Sequence, residues 1–248
     1  MDKRFLKNKS LLISLIATVL FFVVLGISKF HEYLTEEGTI HVSLNYSSEE
    51  TLPNFHSDID IDVELGLPSE INPITRDINN EIRLAKGLML FYNQQYQDAI
   101  RVYTTVIKSD PGNIVAYNRR GNVYQRIKQY DMAEADYTEV LKIDPTYVKA
   151  YNNRGNVYSK LHKYDAAIAD YNQALRLTPN FSVTYYNRGN VYVKLGDYEA
   201  ALADYNRAIK LEPYEGTYYN NRGALYKELG EIEKANADFA KANKYGVL

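Results

Sequence analysis

Tyr117-Asn118-Arg119-Arg120-Gly121-Asn122-Val123-Tyr124 is followed, 34 residues later, by Tyr151-Asn152-Asn153-Arg154-Gly155-Asn156-Val157-Tyr158. Outward from this pair the same spacing continues in both directions. Gly87, Gly121, Gly155, Gly189 and Gly223 form one column; Ala99, Ala133, Ala167, Ala201 and Ala235 form a second; Pro111, Pro145, Pro179 and Pro213 form a third. Three columns with one period define a repeat architecture before any single motif is considered. Five units start at residues 80, 114, 148, 182 and 216.

Each unit reads as two helices. Counting inside a unit, apolar or tyrosine residues at positions 4, 8 and 11 share one helical face and those at 17, 20, 24 and 27 share another, with a short polar turn between. Proline at position 32 has no N–H to donate and closes the second helix. Glycine at 8 and alanine at 20 are small enough to let the two helices approach. Stacked helix pairs of this kind predict an all-α solenoid over residues 80–248.

The pattern resembles the tetratricopeptide repeat family, whose usual signature is an aromatic at 4, glycine at 8, tyrosine at 11, alanine at 20, an aromatic at 24, alanine at 27 and proline at 32. Tyr117, Tyr151 and Tyr185 stand at position 4, and Val140 replaces one alanine at position 27. The first unit departs most, with Arg83 at position 4 and Leu90 at position 11. The resemblance implies a fold and a concave binding groove, without naming a ligand.

Helix geometry then separates packing from binding positions. At 100° per residue, positions 4, 7, 8 and 11 lie within one arc, while 2, 5, 9, 12 and 13 form another. In the resembling family the second arc lines the groove. Arg120, Arg154, Arg188 and Arg222 at position 7 lie on the packing arc. Each of their units carries aspartate at position 23 (Asp136, Asp170, Asp204, Asp238), whereas the first unit has Lys86 and Val102. Arginine and aspartate come and go together, as a bidentate structural pair does.

The groove arc carries a different set. Asn118, Asn122, Asn152, Asn156, Asn190 and Asn220 occupy positions 5 and 9, with Tyr186 filling one gap and Ala224 another. Asparagine is a poor helix former, but its amide offers a donor and an acceptor to an extended peptide backbone. Arg126, Lys160 and Lys194 at position 13 add a basic stripe, which points to an acidic protein or peptide partner. A two-carboxylate clamp of the kind known in the family is absent, since position 5 of the second unit is Asn118 and Lys149 at position 2 is followed by Asn153.

Ahead of the repeats the chain changes character twice. Lys3, Arg4, Lys7 and Lys9 precede Leu11–Ile27, a run of 17 residues broken only by Ser14, Thr18 and Gly26. This predicts a transmembrane signal anchor in residues 1–30. A cleaved secretory signal ending near Gly26-Ile27-Ser28 is the alternative. Basic residues before the run place the N-terminus in the cytoplasm and the repeats on the far side, periplasmic in a bacterium. Residues 31–79 hold one base, Arg76, against eleven acids, together with Pro53, Pro68 and Pro73, and read as an acidic linker. Thr39–Tyr46 and Asp58–Leu65 alternate apolar and polar residues, as short strands do.

Composition narrows the function classes. With no cysteine in 248 residues there is no thiol nucleophile, thiolate metal site or disulfide. The four histidines form no His-x-x-x-His pair, and no Gly-x-Ser-x-Gly elbow or phosphate-binding glycine loop occurs, so neither an enzyme nor a cofactor is expected. A formal net charge of -2 gives no field for nucleic acid. What remains is a membrane-anchored scaffold or adaptor that binds peptide segments in its groove, in assembly of a cell-envelope complex. Its alternative is a structural or assembly subunit held through the anchor and repeat ends. Leu84, Leu88 and Phe91 are expected as an exposed apolar patch in the first unit. Phe239, Ala242, Tyr245 and Val247 are expected as an apolar end through which copies self-associate.

Overall fold

The computed structural model describes residues 33–35, 38–45, 60–65 and 72–246. The chain divides into two units, with the boundary between Ala85 and Lys86. Leu11–Ile27, on which the anchor reading rests, lies outside the described residues. Among those described, no helix is long and apolar enough to cross a membrane.

Residues 31–79 contain an antiparallel sheet in the order β1 (Tyr33–Thr35), β2 (Gly38–Asn45) and β3 (Asp60–Leu65). The register sets Ile40 opposite Leu65, Val42 opposite Val63 and Leu44 opposite Ile61. Apolar residues thus pair with apolar ones, and the intervening polar residues pair with each other. This is the period of two that the sequence carried beneath its acidic charge.

Ten helices follow: α1 (Asn72–Tyr92), α2 (Tyr96–Ser109), α3 (Ile114–Arg126), α4 (Tyr130–Ile143), α5 (Val148–Lys160), α6 (Tyr164–Leu177), α7 (Ser182–Leu195), α8 (Tyr198–Leu211), α9 (Gly216–Glu228) and α10 (Ile232–Tyr245). They make five helix pairs in the expected register, although α1 begins at Asn72 rather than near residue 80. The second helix of each of the first four pairs stops two residues before its proline, because the residue ahead of proline disfavours the α region. Between the helices of a pair, position 15 takes a left-handed conformation every time. Gln94, Lys128 and His162 have φ of 62, 62 and 58°, and glycine takes over as Gly196 and Gly230 at 76 and 77°.

The glycine column has a steric cause. A Cβ on Gly155 would sit 2.7 Å from the Tyr171 ring, and one on Gly121 would sit 2.8 Å from Tyr137. Tyr103, Tyr137, Tyr171 and Tyr205, all at position 24, are fully buried beneath that helix crossing. The core runs through the repeats as successive clusters. In one, Tyr137, Val140 and Leu141 join Ala150 and Val157 of the next unit. Burying such side chains is worth about 1.5 to 3 kcal/mol each.

Two expectations about the ends need correction. Leu84 is buried, with 2% of its surface exposed, and Leu88 and Phe91 are half-buried. At the other end Ala242 is buried, and Phe239 and Tyr245 are half-buried. The Tyr245 ring sits edge-on to Tyr214 at 5.4 Å and lies 5.8 Å from Tyr219. Asn236 and Asn243, both exposed, stand where inner units place Ile168 or Leu202 and the buried Leu141 or Leu175. That end is therefore more polar than the expected apolar face; Val247 lies outside the described residues.

Candidate functional site

The recurring arginines are structural. Arg154 donates from Nε and Nη2 to the two carboxylate oxygens of Asp170, both at 2.8 Å, and from Nη1 to Thr138 Oγ1 of the preceding unit at 3.1 Å. Arg120 repeats the arrangement with Asp136 and Thr104. Arg188 and Arg222 repeat it with Asp204 and Asp238, and with Asn172 and Asn206 of the preceding units. Each guanidinium also lies within about 6 Å of the ring centroids at positions 4 and 11, such as Tyr151 and Tyr158 around Arg154. Burial pushes the Asp136 and Asp204 carboxyls above their ordinary range, against the pull of their arginines. The pairs are thus desolvated, and removing one partner strands a buried charge.

The asparagines are held in one orientation. Tyr137, Tyr171 and Tyr205 each donate their hydroxyl to the Oδ1 of the position-9 asparagine in the same unit, Asn122, Asn156 and Asn190, at 2.7 Å. Burial raises the pKa of all three hydroxyls, so they remain protonated donors. A second set of asparagines, at position 6, reaches back across the repeat boundary. Asn153 Nδ2 donates to Asn122 Oδ1 at 3.1 Å, Asn187 Nδ2 to Asn152 Oδ1 at 3.1 Å, and Asn221 Nδ2 to Asn190 Oδ1 at 3.0 Å. Asn152 Oδ1 also accepts from Thr184 at 3.0 Å.

The ladder is therefore woven into the solenoid rather than standing free. Asn118 and Asn152 are buried, at 8 and 6% exposure, while Asn122, Asn156, Asn190 and Asn220 are half-buried. The Oδ1 atoms of Asn122, Asn156 and Asn190 serve internal donors, and their Nδ2 groups make no hydrogen bond among the described residues. None of those Nδ2 atoms is sealed from solvent, since among the described residues the single buried side-chain polar atom without a partner is Gln95 Oε1. The amides thus present donors in successive repeats.

Tyr186 interrupts this pattern. Its ring lies 5.0 Å from Tyr218 and 6.1 Å from Tyr205, and its hydroxyl accepts from Asn221 at 2.9 Å. Arg126, Lys160 and Lys194 are exposed. The sequence reading missed Asn153, Asn187 and Asn221. Their partners lie 31 or 35 residues upstream, and the 34-residue period was the available signal. Among the described residues no group of three or more His, Asp or Glu side chains is placed to hold a metal ion.

This geometry defines a stack of helix pairs, each packed on the next, with a polar row of side chains on its first helices, the form of a helical-repeat scaffold. The tetratricopeptide repeat family model matches residues 114–147, 148–181 and 182–215, and a second model of the same description matches 216–245. The chain belongs to the tetratricopeptide repeat family. Similar solved structures include MamA, 26% identical with a TM-score of 0.57 over 64% of this chain and 93% of that one. MamA from Desulfovibrio magneticus RS-1 is 18% identical with a TM-score of 0.60, over 67 and 94%. PilF of Pseudomonas aeruginosa is 18% identical with a TM-score of 0.64, over 70 and 79%. The two at 18% identity speak to the fold alone. No match is found among curated proteins.

Proposed function

We propose that this protein is a membrane-anchored adaptor whose concave groove captures extended peptide segments of partner proteins outside the cytoplasm, in assembly of a cell-envelope complex. The observation that carries the reading is the fixed orientation of the position-9 amides. Tyr137, Tyr171 and Tyr205 hold each Oδ1 inward, which leaves a row of Nδ2 donors for backbone carbonyls. Such contacts grip a strand-like segment without reading its side chains. The basic flank and apolar run at residues 3–27 supply the anchoring and its orientation. Protease added to intact spheroplasts is expected to digest the repeats; repeats that survive until the membrane is lysed overturn the topology. Photocrosslinkers placed at Asn156 and Asn190 are expected to capture peptide segments, while the same probe at Asn172 and Asn206 is not.

A further inference from the structure

We propose that Arg126, Lys160 and Lys194 form a three-step anion ladder that takes carboxylate side chains of an extended acidic peptide, one per repeat. The proposal rests on the groove reading above and specifies its partner. It differs from the family's two-carboxylate clamp, which uses positions 2, 5, 6 and 9 and is not present here.

The contrast between two cation columns carries the argument. Every arginine at position 7 from Arg120 to Arg222 is matched by a bidentate aspartate. No cation at position 13 makes an ion pair among the described residues. Arg126 Nε instead touches the hydroxyl of Tyr96 at 3.4 Å. Lys194 Nζ donates to Ser159 Oγ at 3.1 Å and lies 5.6 Å from the centre of the Tyr164 ring. Each of these neutral anchors belongs to the preceding repeat, so the charges sit across repeat boundaries.

Lysine in the last turn of a helix is ordinarily explained by the helix dipole, and Lys108, Lys142 and Lys210 fit that account. The dipole does not explain two lysines close enough to oppose each other. Burial, and then the charge of Lys160, hold the Lys194 ammonium below its ordinary pKa. A carboxylate placed between them relieves that repulsion. The column also has defined ends: Tyr92 occupies the position in the first unit, and Glu228 in the fifth, where it accepts from the Tyr198 hydroxyl at 2.7 Å. Packed helices lie about 8 to 10 Å apart and an extended chain advances about 3.3 Å per residue, so the matching acids fall roughly three residues apart.

The test uses the full chain in detergent and three labelled twelve-residue peptides, followed by fluorescence anisotropy. One has glutamate at every third position and serine elsewhere; the second has glutamine in place of glutamate; the third has its glutamates contiguous. The spaced glutamate peptide is expected to bind about ten-fold more tightly than the glutamine peptide at low salt, with the gap closing in high salt. The double variant Lys160→Gln, Lys194→Gln is expected to close the gap while leaving affinity for the glutamine peptide unchanged. If wild type and variant bind the glutamate and glutamine peptides alike, the anion ladder is wrong and the groove reading stands. Equal affinity for contiguous and spaced glutamates overturns the one-per-repeat register. If the wild-type chain binds none of the peptides, both the ladder and the groove reading fall.

Discussion

The fifth repeat differs from the second, third and fourth in a consistent way. It keeps what joins its own two helices: Arg222 is bidentate to Asp238, and Gly223 and Ala235 fill their columns. It drops groups that inner repeats offer to the following unit. Asn190 accepts from the next repeat, but its counterpart is Ala224; Asn172 and Asn206 accept from the next arginine, but their counterpart is Ala240. Tyr205, which holds Asn190 in place, becomes Phe239. Residues that serve the repeat and residues that serve its neighbour can therefore be told apart by what the fifth unit lacks.

The largest test of this division is Arg154→Ala, which strands Asp170 and removes the bond to Thr138. It is expected to cost about 3 to 5 kcal/mol in chemical denaturation. Arg222→Ala is expected to cost less, because its unit, with Ala224, Phe239 and Ala240, is tied to fewer side-chain partners than the inner repeats. Equal costs would remove the distinction between the inner repeats and the fifth.

Gly155→Ala comes next. The new Cβ falls 2.7 Å from the buried Tyr171 ring, and overpacking of this kind costs about 1 to 3 kcal/mol. Gly223→Ala meets its neighbours at 3.1 Å, against Asp238 and Phe239, and is expected to be milder. A melting-temperature series on the two variants decides their order.

Tyr171→Phe converts an inner repeat to the fifth repeat's chemistry at one position. It removes the donor to Asn156 Oδ1 and is expected to cost about 1 kcal/mol. Phe239→Tyr, in a unit that carries Ala224 at position 9, gains no such acceptor and is expected to add no stability.

Alkaline pH acts on the same hydroxyls, with no effect below about pH 10, the ordinary tyrosine pKa. Burial pushes Tyr103 up to about 12, and it raises Tyr137, Tyr171 and Tyr205 as well. The unfolded chain therefore loses protons first, and stability falls as pH rises from about 10 toward 12. A part of the tyrosinate absorbance is expected to appear only together with loss of helical circular dichroism in that window. Ionisation of every tyrosine with the helical signal intact would contradict the burial of these hydroxyls.

How much of this was legible in the sequence depends on the range of each interaction. Arg154 and Asp170 lie 16 residues apart in one unit, and the first unit lacks both partners, so covariation among repeats exposes the pair. The link between Asn156 and Tyr171 leaves a weaker trace: Ala224 and Phe239 change together in the fifth unit, but the first keeps Tyr103 with Leu88 at position 9. A helical wheel assigns Asn156 to the groove without saying where its amide oxygen points. Asn153, Asn187 and Asn221 escape the wheel altogether, since their partners stand on another repeat. In the N-terminal segment, alternation marked the neighbourhoods of β2 and β3, but the run of acids outweighed it, and the three residues of β1 are too few to show a period.

The most direct measurement of the central claim separates the two halves of the amide. Asn156→Asp with Asn190→Asp keeps an oxygen for the hydroxyls of Tyr171 and Tyr205 and removes the Nδ2 donors. Titrated with the uncharged glutamine peptide, this variant is expected to retain wild-type helicity and lose most of its affinity. Wild-type affinity in a folded double variant would contradict a groove built on asparagine donors.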